Sequence, residues 1–206
     1  MSKSQANLDP QSGFTLTELI VVVTIILVVT GLSIPNLTRA IDTYRIKGAA
    51  QTLASAYQDA RLRATQKDTS YQVLISPPGI LPAQICIDLD GDSTCSAGDP
   101  VTTFPTQVKV SNLGVPVPLN SDLLHFRAIA TEQPGAPANS LTWNAMGLPC
   151  QRTSPIAPCT AVGWVQHLQL LGANGDVMYA AVTVSPTGRI KTWIFIFSGN
   201  GNGSWL

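Results

Sequence analysis

Apolar residues follow three successive patterns along the chain. From Phe14 to Ile34, a run of 21 residues holds little but Leu, Ile, Val and Thr, with Glu18 its single charge. From Leu37 onward, apolar or small residues recur in steps of three and four: Leu37, Ile41, Tyr44 and Gly48, then Ala49, Leu53, Ala56 or Tyr57, Ala60 and Ala64. That spacing predicts an amphipathic helix, with Arg39, Asp42, Arg45, Lys47, Asp59, Arg61, Arg63 and Lys67 on the opposite face. After Asp68 the helical period gives way to short apolar segments bounded by turn residues. Strands are expected at Tyr71–Ile75, Gln84–Asp88, Thr102–Val110, Leu123–Ala128, Leu141–Asn144, Trp164–Leu171, Val177–Ser185 and Arg189–Phe197. Gly172–Asp176 and Pro186–Gly188 are the hairpin turns between the last three. A long helix followed by an antiparallel sheet is an α+β arrangement.

The pattern divides the chain into a polar leader (1–13), an apolar helix (14–35), an amphipathic stem (36–68) and a β-rich head (69–206). The leader has no apolar core, so the apolar run lies after it, the reverse of an ordinary secretory signal. At about 1.5 Å per residue, Phe14–Ile34 is long enough to cross a hydrocarbon core of ~30 Å. Threonine and serine hydroxyls are tolerable there because they can bond backbone carbonyls one turn back. Pro35 removes a helical hydrogen bond and crowds the preceding turn, which predicts a kink or local unwinding. Glu18 is the informative residue, because a carboxylate in an apolar helix is costly to keep without a purpose.

Charge sharpens this division. Charged residues are 12% of the chain and the net charge is zero, which argues against a broadly basic nucleic-acid binder. Residues 36–68 hold six basic and three acidic side chains, and residues 69–206 hold five basic and seven acidic. The stem is basic and the head mildly acidic. Arg39, Arg45 and Lys47 follow the apolar run, where the positive-inside rule would favour a cytoplasmic location.

The stretch Gly13-Phe14-Thr15-Leu16-Thr17-Glu18, with the apolar run behind it, resembles a type IV prepilin. The resemblance implies a pilin fold and cleavage between Gly13 and Phe14 by a prepilin peptidase, with N-methylation of Phe14. It also implies that Glu18 pairs with the methylated amine of a neighbouring subunit, and that the helix can unwind around Pro35 on assembly. Its implied partners are other pilin or pseudopilin subunits, the prepilin peptidase/N-methyltransferase and the inner membrane, with a single pass and the head in the periplasm. The C-terminal signal Val184-Ser185-Pro186-Thr187-Gly188-Arg189-Ile190-Lys191 is similar to that of GspH/FimT minor pilins and pseudopilins. The function this implies is a structural subunit of a type II secretion pseudopilus or a type IV pilus. An alternative is a FimT-like pilin that binds DNA for uptake through Arg189 and Lys191, which strand alternation puts on one face. Lys191 stands where that motif usually has a second arginine, offering a point charge in place of a bidentate fork.

The head carries two further candidates. Cys86/Cys95 and Cys150/Cys159 form two pairs, each spaced nine apart without the C-x-x-C spacing of a zinc or redox site. Two local disulfides in an oxidising compartment are expected. Asp88, Asp90, Asp92 and Asp99 fall at positions 1, 3, 5 and 12 of a calcium-loop count. Against Ca²⁺, Ser93 replaces the glycine of position 6 and Asp99 the usual glutamate, so a solvated acidic turn is the competing reading. His125 and His167 lie in separate expected strands with no placed nucleophile or carboxylate. The chain is therefore expected to be a substrate of enzymes and no enzyme itself.

Overall fold

The computed structural model describes residues 14–76, 81–110, 140–151, 160–161, 163–172, 177–197 and 203–205, with side chains at 32, 35, 36, 151, 196, 197 and 203–205 excepted. A single helix, α1 (Leu16–Lys67), is followed among these residues by eleven strands. They are β1 (Tyr71–Ile75), β2 (Gln84–Asp88), β3 (Val101–Thr103), β4 (Val108–Val110), β5 (Ser140–Trp143) and β6 (Pro149–Gln151). The remainder are β7 (Thr160–Ala161), β8 (Trp164–Leu171), β9 (Val177–Val184), β10 (Ile190–Phe197) and β11 (Gly203–Trp205). The α+β architecture with a long N-terminal helix is as expected, with two antiparallel sheets in place of one. One sheet runs β3-β2-β1-β5-β6-β7 and the other β11-β10-β9-β8-β4. The expected strand over Thr102–Val110 is split after Thr103: Phe104 N–H still bonds the Ala83 carbonyl at 2.8 Å, and Val108 N–H then bonds the Pro105 carbonyl at 2.9 Å. The expected strand at Leu123–Ala128 lies outside the described residues.

Chain contacts define two compact units, Met1–Arg39 and Ala40–Leu206. The stem from Ala40 thus belongs with the head. In the first unit, Thr24, Thr30 and Ser33 donate their hydroxyls to the carbonyls of Ile20, Ile26 and Val29 at 2.7–2.8 Å. The helix runs through position 35 without a break, so this chain by itself does not unwind at Pro35. A proline interrupts one hydrogen bond, and the helical bonds on either side hold the helix continuous.

In the second unit, α1 buries Ile46, Ala49, Ala50, Leu53, Ala54, Tyr57, Ala60 and Ala64 in one core with residues from both sheets, among them Val73, Ile85, Leu141, Trp143, Leu168 and Val182. Five of these eight helix positions are alanine, whose small side chains fill little of the core. This corrects the expected stripe: its second half is buried, while Leu37, Ile41, Tyr44 and Gly48 are exposed. Two residues assigned to the polar face are also drawn inward. Asp42 is buried, bonded by Arg45 at 3.2 Å, and Arg61 lies over the Trp143 ring, 5.7 Å from its centroid. The helix ends in a Schellman arrangement: Asp68 takes a left-handed φ of 51°, and Thr69 N–H reaches back to the Ala64 carbonyl at 3.2 Å.

One turn from each sheet meets α1 at Arg61. Asn144–Leu148 joins β5 to β6 and Ser185–Arg189 joins β9 to β10, and the two are built alike. In each, the fourth residue is a glycine with positive φ, Gly147 at 72° and Gly188 at 82°. In each, that glycine's N–H bonds the carbonyl of the first residue, and the first residue's N–H bonds the carbonyl of the fifth. The side-chain oxygen of the first residue accepts from the fifth N–H, at 2.9 Å in both cases. Such three-residue hairpin loops place a glycine where L side chains are disfavoured. Arg61 donates to the Gly188 carbonyl at 2.8 Å, fastening the second turn to the helix.

Candidate functional site

The residues at the start of α1 form a local network that the sequence already spelled as Thr15-x-x-Glu18. Thr15 Oγ1 accepts from Glu18 N–H at 3.3 Å, and the Glu18 carboxylate accepts from Thr15 N–H at 3.3 Å and from Thr15 Oγ1 at 3.0 Å. This is a capping box: it satisfies two backbone donors that a helix start leaves open and sets a negative charge at the positive end of the helix dipole. Phe14 is 80% exposed just before it. Gly13 lies outside the described residues. From Leu16 to Val29 every large apolar side chain is exposed, none below 45%.

Among the described residues no helix is long and apolar enough to cross a membrane.

The acidic loop between β2 and β3 brings together three of the four expected aspartates. Carboxylate oxygens of Asp88, Asp90 and Asp99 lie within 4.8 Å of one another. Asp92 is turned to Thr94, whose N–H and hydroxyl it accepts at 2.7 and 2.8 Å. The loop largely satisfies itself. Asp88 accepts from Gly91 N–H at 2.7 Å and Ser93 N–H at 2.9 Å, and Asp99 accepts from Leu89 N–H at 2.9 Å and Ser96 N–H at 2.8 Å. Ser93 adopts φ 60°, so the position where glycine was wanted does take the left-handed conformation. Burial raises the Asp88 carboxyl above its ordinary value, against the pull of the Ser93 and Gly91 N–H bonds. N–H bonds from Ser96 and then Leu89 hold Asp99 below it. Cys86 and Cys95 are joined, with their Cα atoms 6.0 Å apart, closing the loop at its base. Cys150 is also disulfide-bonded, and Cys159 lies outside the described residues.

Arg189 is exposed at the foot of the Ser185–Arg189 turn. Lys191 is half-buried on the outer face of the second sheet, its ammonium 3.9 Å from the Trp193 ring centroid, so cation–π attraction holds it there. Trp193 is itself buried and donates its indole N–H to Thr183 Oγ1 at 2.9 Å. The two cations are thus not equivalent: Arg189 is open, and Lys191 is engaged with an aromatic. His167 sits on β8 opposite Ala181, and burial lowers its pKa from 6.5. His125 lies outside the described residues. Sequence reasoning missed Arg61, whose charge suggested a solvated position, and the pairing of Gly147 with Gly188, which the repeated turn-residue-then-glycine spacing could have signalled.

Residues 8–34 match the family model of the prokaryotic N-terminal methylation motif. No curated protein and no solved structure matches the chain. The motif, set on the start of a long helix that precedes antiparallel sheets, supports a type IV pilin-like protein made as a precursor. It implies interaction with other pilins and with a prepilin peptidase.

Proposed function

We propose that this chain is a GspH/FimT-like minor pseudopilin, a structural subunit of a type II secretion pseudopilus or a type IV pilus. The precursor is cut between Gly13 and Phe14, methylated on Phe14, held in the inner membrane by a single pass through Phe14–Ile34, and displays its head in the periplasm. It is acted on by the peptidase and methyltransferase and catalyses nothing itself. The observation that carries this reading is the methylation motif over 8–34, lying on a helix start whose apolar side chains are exposed. Burying those side chains in lipid and then against neighbouring subunits supplies the drive for assembly. The Cys86–Cys95 disulfide and the second local disulfide we propose between Cys150 and Cys159 suit an oxidising periplasm. Among the described residues the alternative reading as a DNA receptor would rest on the exposed Arg189, because Lys191 is engaged with the Trp193 ring. Calcium in the acidic loop would have to displace or share oxygens already bonded to backbone N–H groups.

The test separates the two roles of Glu18. Glu18→Gln keeps a side chain able to complete the capping box but removes the charge, whereas Glu18→Ala removes both. If the charge pairs with a neighbour's N-terminal amine, both variants are cleaved at Gly13 and both are excluded from filaments. Normal incorporation of Glu18→Gln would reduce Glu18 to a helix cap.

A further inference from the structure

We infer that the end of the head at which α1 enters, near Ala40, rests on anionic phospholipid headgroups of the bilayer that holds Phe14–Ile34. The inference depends on the membrane pass proposed above and adds a second contact with the same membrane, made by the head.

Two hairpins, one from each sheet, turn at that end and carry an exposed leucine. The β8–β9 hairpin runs alongside α1: Trp164 at its far end donates to Tyr57 Oη at 3.1 Å, and Met178 Sδ lies 3.9 Å from the Thr43 hydroxyl. Leu171 pairs with Val177, one step beyond Met178, and is 55% exposed. β1 starts at the other end of the helix, where Tyr71 pairs with Trp143 beneath Arg61, and runs back toward Ala40. Past its last pair, Ile75 with Ile85, Leu81 is 54% exposed. Tyr44 stands on α1 next to Thr43 and is 74% exposed. Apolar side chains at loop tips and an exposed tyrosine suit a layer that is apolar below and polar above.

Among the described residues of these helix turns, the outward charges are positive. Arg45 and Lys47 are exposed, whereas Asp42 is buried and bonded by Arg45 at 3.2 Å. The acidic loop of Asp88, Asp90 and Asp99 leaves β2 beside Gln72, at the opposite end of the head. Ala40 follows Ile34 by six residues, about 9 Å of helix. The headgroup layer is itself roughly 5–7 Å deep on each side, so connectivity alone keeps this end of the head close to it. Arg45 and Lys47 stand one to two turns further on, and attraction to anionic lipid reaches over a Debye length of ~10 Å at 0.1 M salt. Cations that run against the positive-inside tendency thereby acquire a purpose: they hold the head down until assembly lifts the subunit out of the membrane.

The full chain, reconstituted in vesicles of phosphatidylglycerol and phosphatidylcholine in equal parts, tests this with the photo-cross-linker p-benzoylphenylalanine in place of Leu81 or Leu171. Irradiation should add the mass of a phospholipid at both positions, and also to the same probe in place of Leu19 in the apolar run. The probe in place of Met146, which is 75% exposed at the opposite end of the head, should stay unlabelled. Labelling at 81 and 171 should fall in phosphatidylcholine alone. In the mixed vesicles Lys47→Gln should lower it by up to about fivefold, the factor one lysine carries at an anionic surface. A labelled Leu19 probe with silent probes at 81 and 171 would put the chain in the membrane and the head clear of it, which overturns this inference alone. Silence at every position would remove the membrane pass and the inference with it. Equal labelling at position 146, or a yield indifferent to lipid charge and to Lys47→Gln, would also overturn it.

Discussion

Replacing Gly147 with alanine should destabilise the head by an amount the geometry allows to be worked out. Gly147 has φ 72°, a conformation that costs an L side chain about 1–2 kcal/mol. The new Cβ would lie 2.8 Å from Thr65 Cγ2 and 3.3 Å from Arg61 Nε. Overpacking of this kind costs roughly 1–3 kcal/mol, and the lower end applies because Thr65 is exposed and can shift. The sum is about 2–4 kcal/mol, or a fall in Tm of roughly 5–15 °C at ~2–4 °C per kcal/mol for a domain of this size. Near-UV circular dichroism of the full chain in detergent would follow it, since Trp143 lies beneath Arg61 at this junction. Thr65→Ser deletes the clashing methyl, so the double variant Gly147→Ala/Thr65→Ser should recover the steric part and retain only the backbone part. A Gly147→Ala melt within ~1 °C of wild type, or a double variant with no recovery, would refute the docking of this turn on α1.

Three other outcomes follow from the same structure. Tyr57→Phe takes away the acceptor for Trp164 Nε1, bonded at 3.1 Å, and should cost ~1–2 kcal/mol in denaturant unfolding; an unchanged midpoint would show that water replaces the bond freely. In an NMR carboxyl titration, Asp99 should titrate below 3.8 and Asp88 above it. The Asp99 contribution to stability is thus present above 3.8 and lost as pH falls through its lowered value, while that of Asp88 is present below 3.8 and lost as pH rises through its raised value; the reverse order would contradict the loop's hydrogen bonding. His167, lowered from 6.5 by burial, binds its proton less readily folded than unfolded. Stability should therefore decline as pH drops below 6.5 toward the lower folded value, and His167→Phe should flatten that decline; an equal decline in the variant would assign it elsewhere.

Long periodic elements were legible in the chain, and short or charged ones were not. β1, β2 and β8 fall where alternation and flanking turn residues put them. β6, β7 and β11 have only two or three residues, too few for a period to show. The stem pattern was right in period and half wrong in phase. Ile46 sits between Arg45 and Lys47 and was not part of the expected stripe, yet it is fully buried. Tyr44 two residues earlier looked like core and is exposed. Arg61 misled for a related reason: a long side chain can cover an aromatic ring with its stem and place its charge on a carbonyl, as it does with Trp143 and Gly188. At the helix start, the cost of a carboxylate in an apolar run drew attention to Glu18, although Thr15-x-x-Glu18 already spelled a helix cap.

The central claim is that this chain is processed and assembled as a pilin-like subunit, and the N-terminus of the mature protein tests it most directly. Intact-mass and fragment-ion spectrometry of protein isolated from host membranes should find a chain that begins at Phe14 and carries one methyl group on its amine. A chain that keeps residues 1–13, or starts at Phe14 with an unmodified amine, would contradict it.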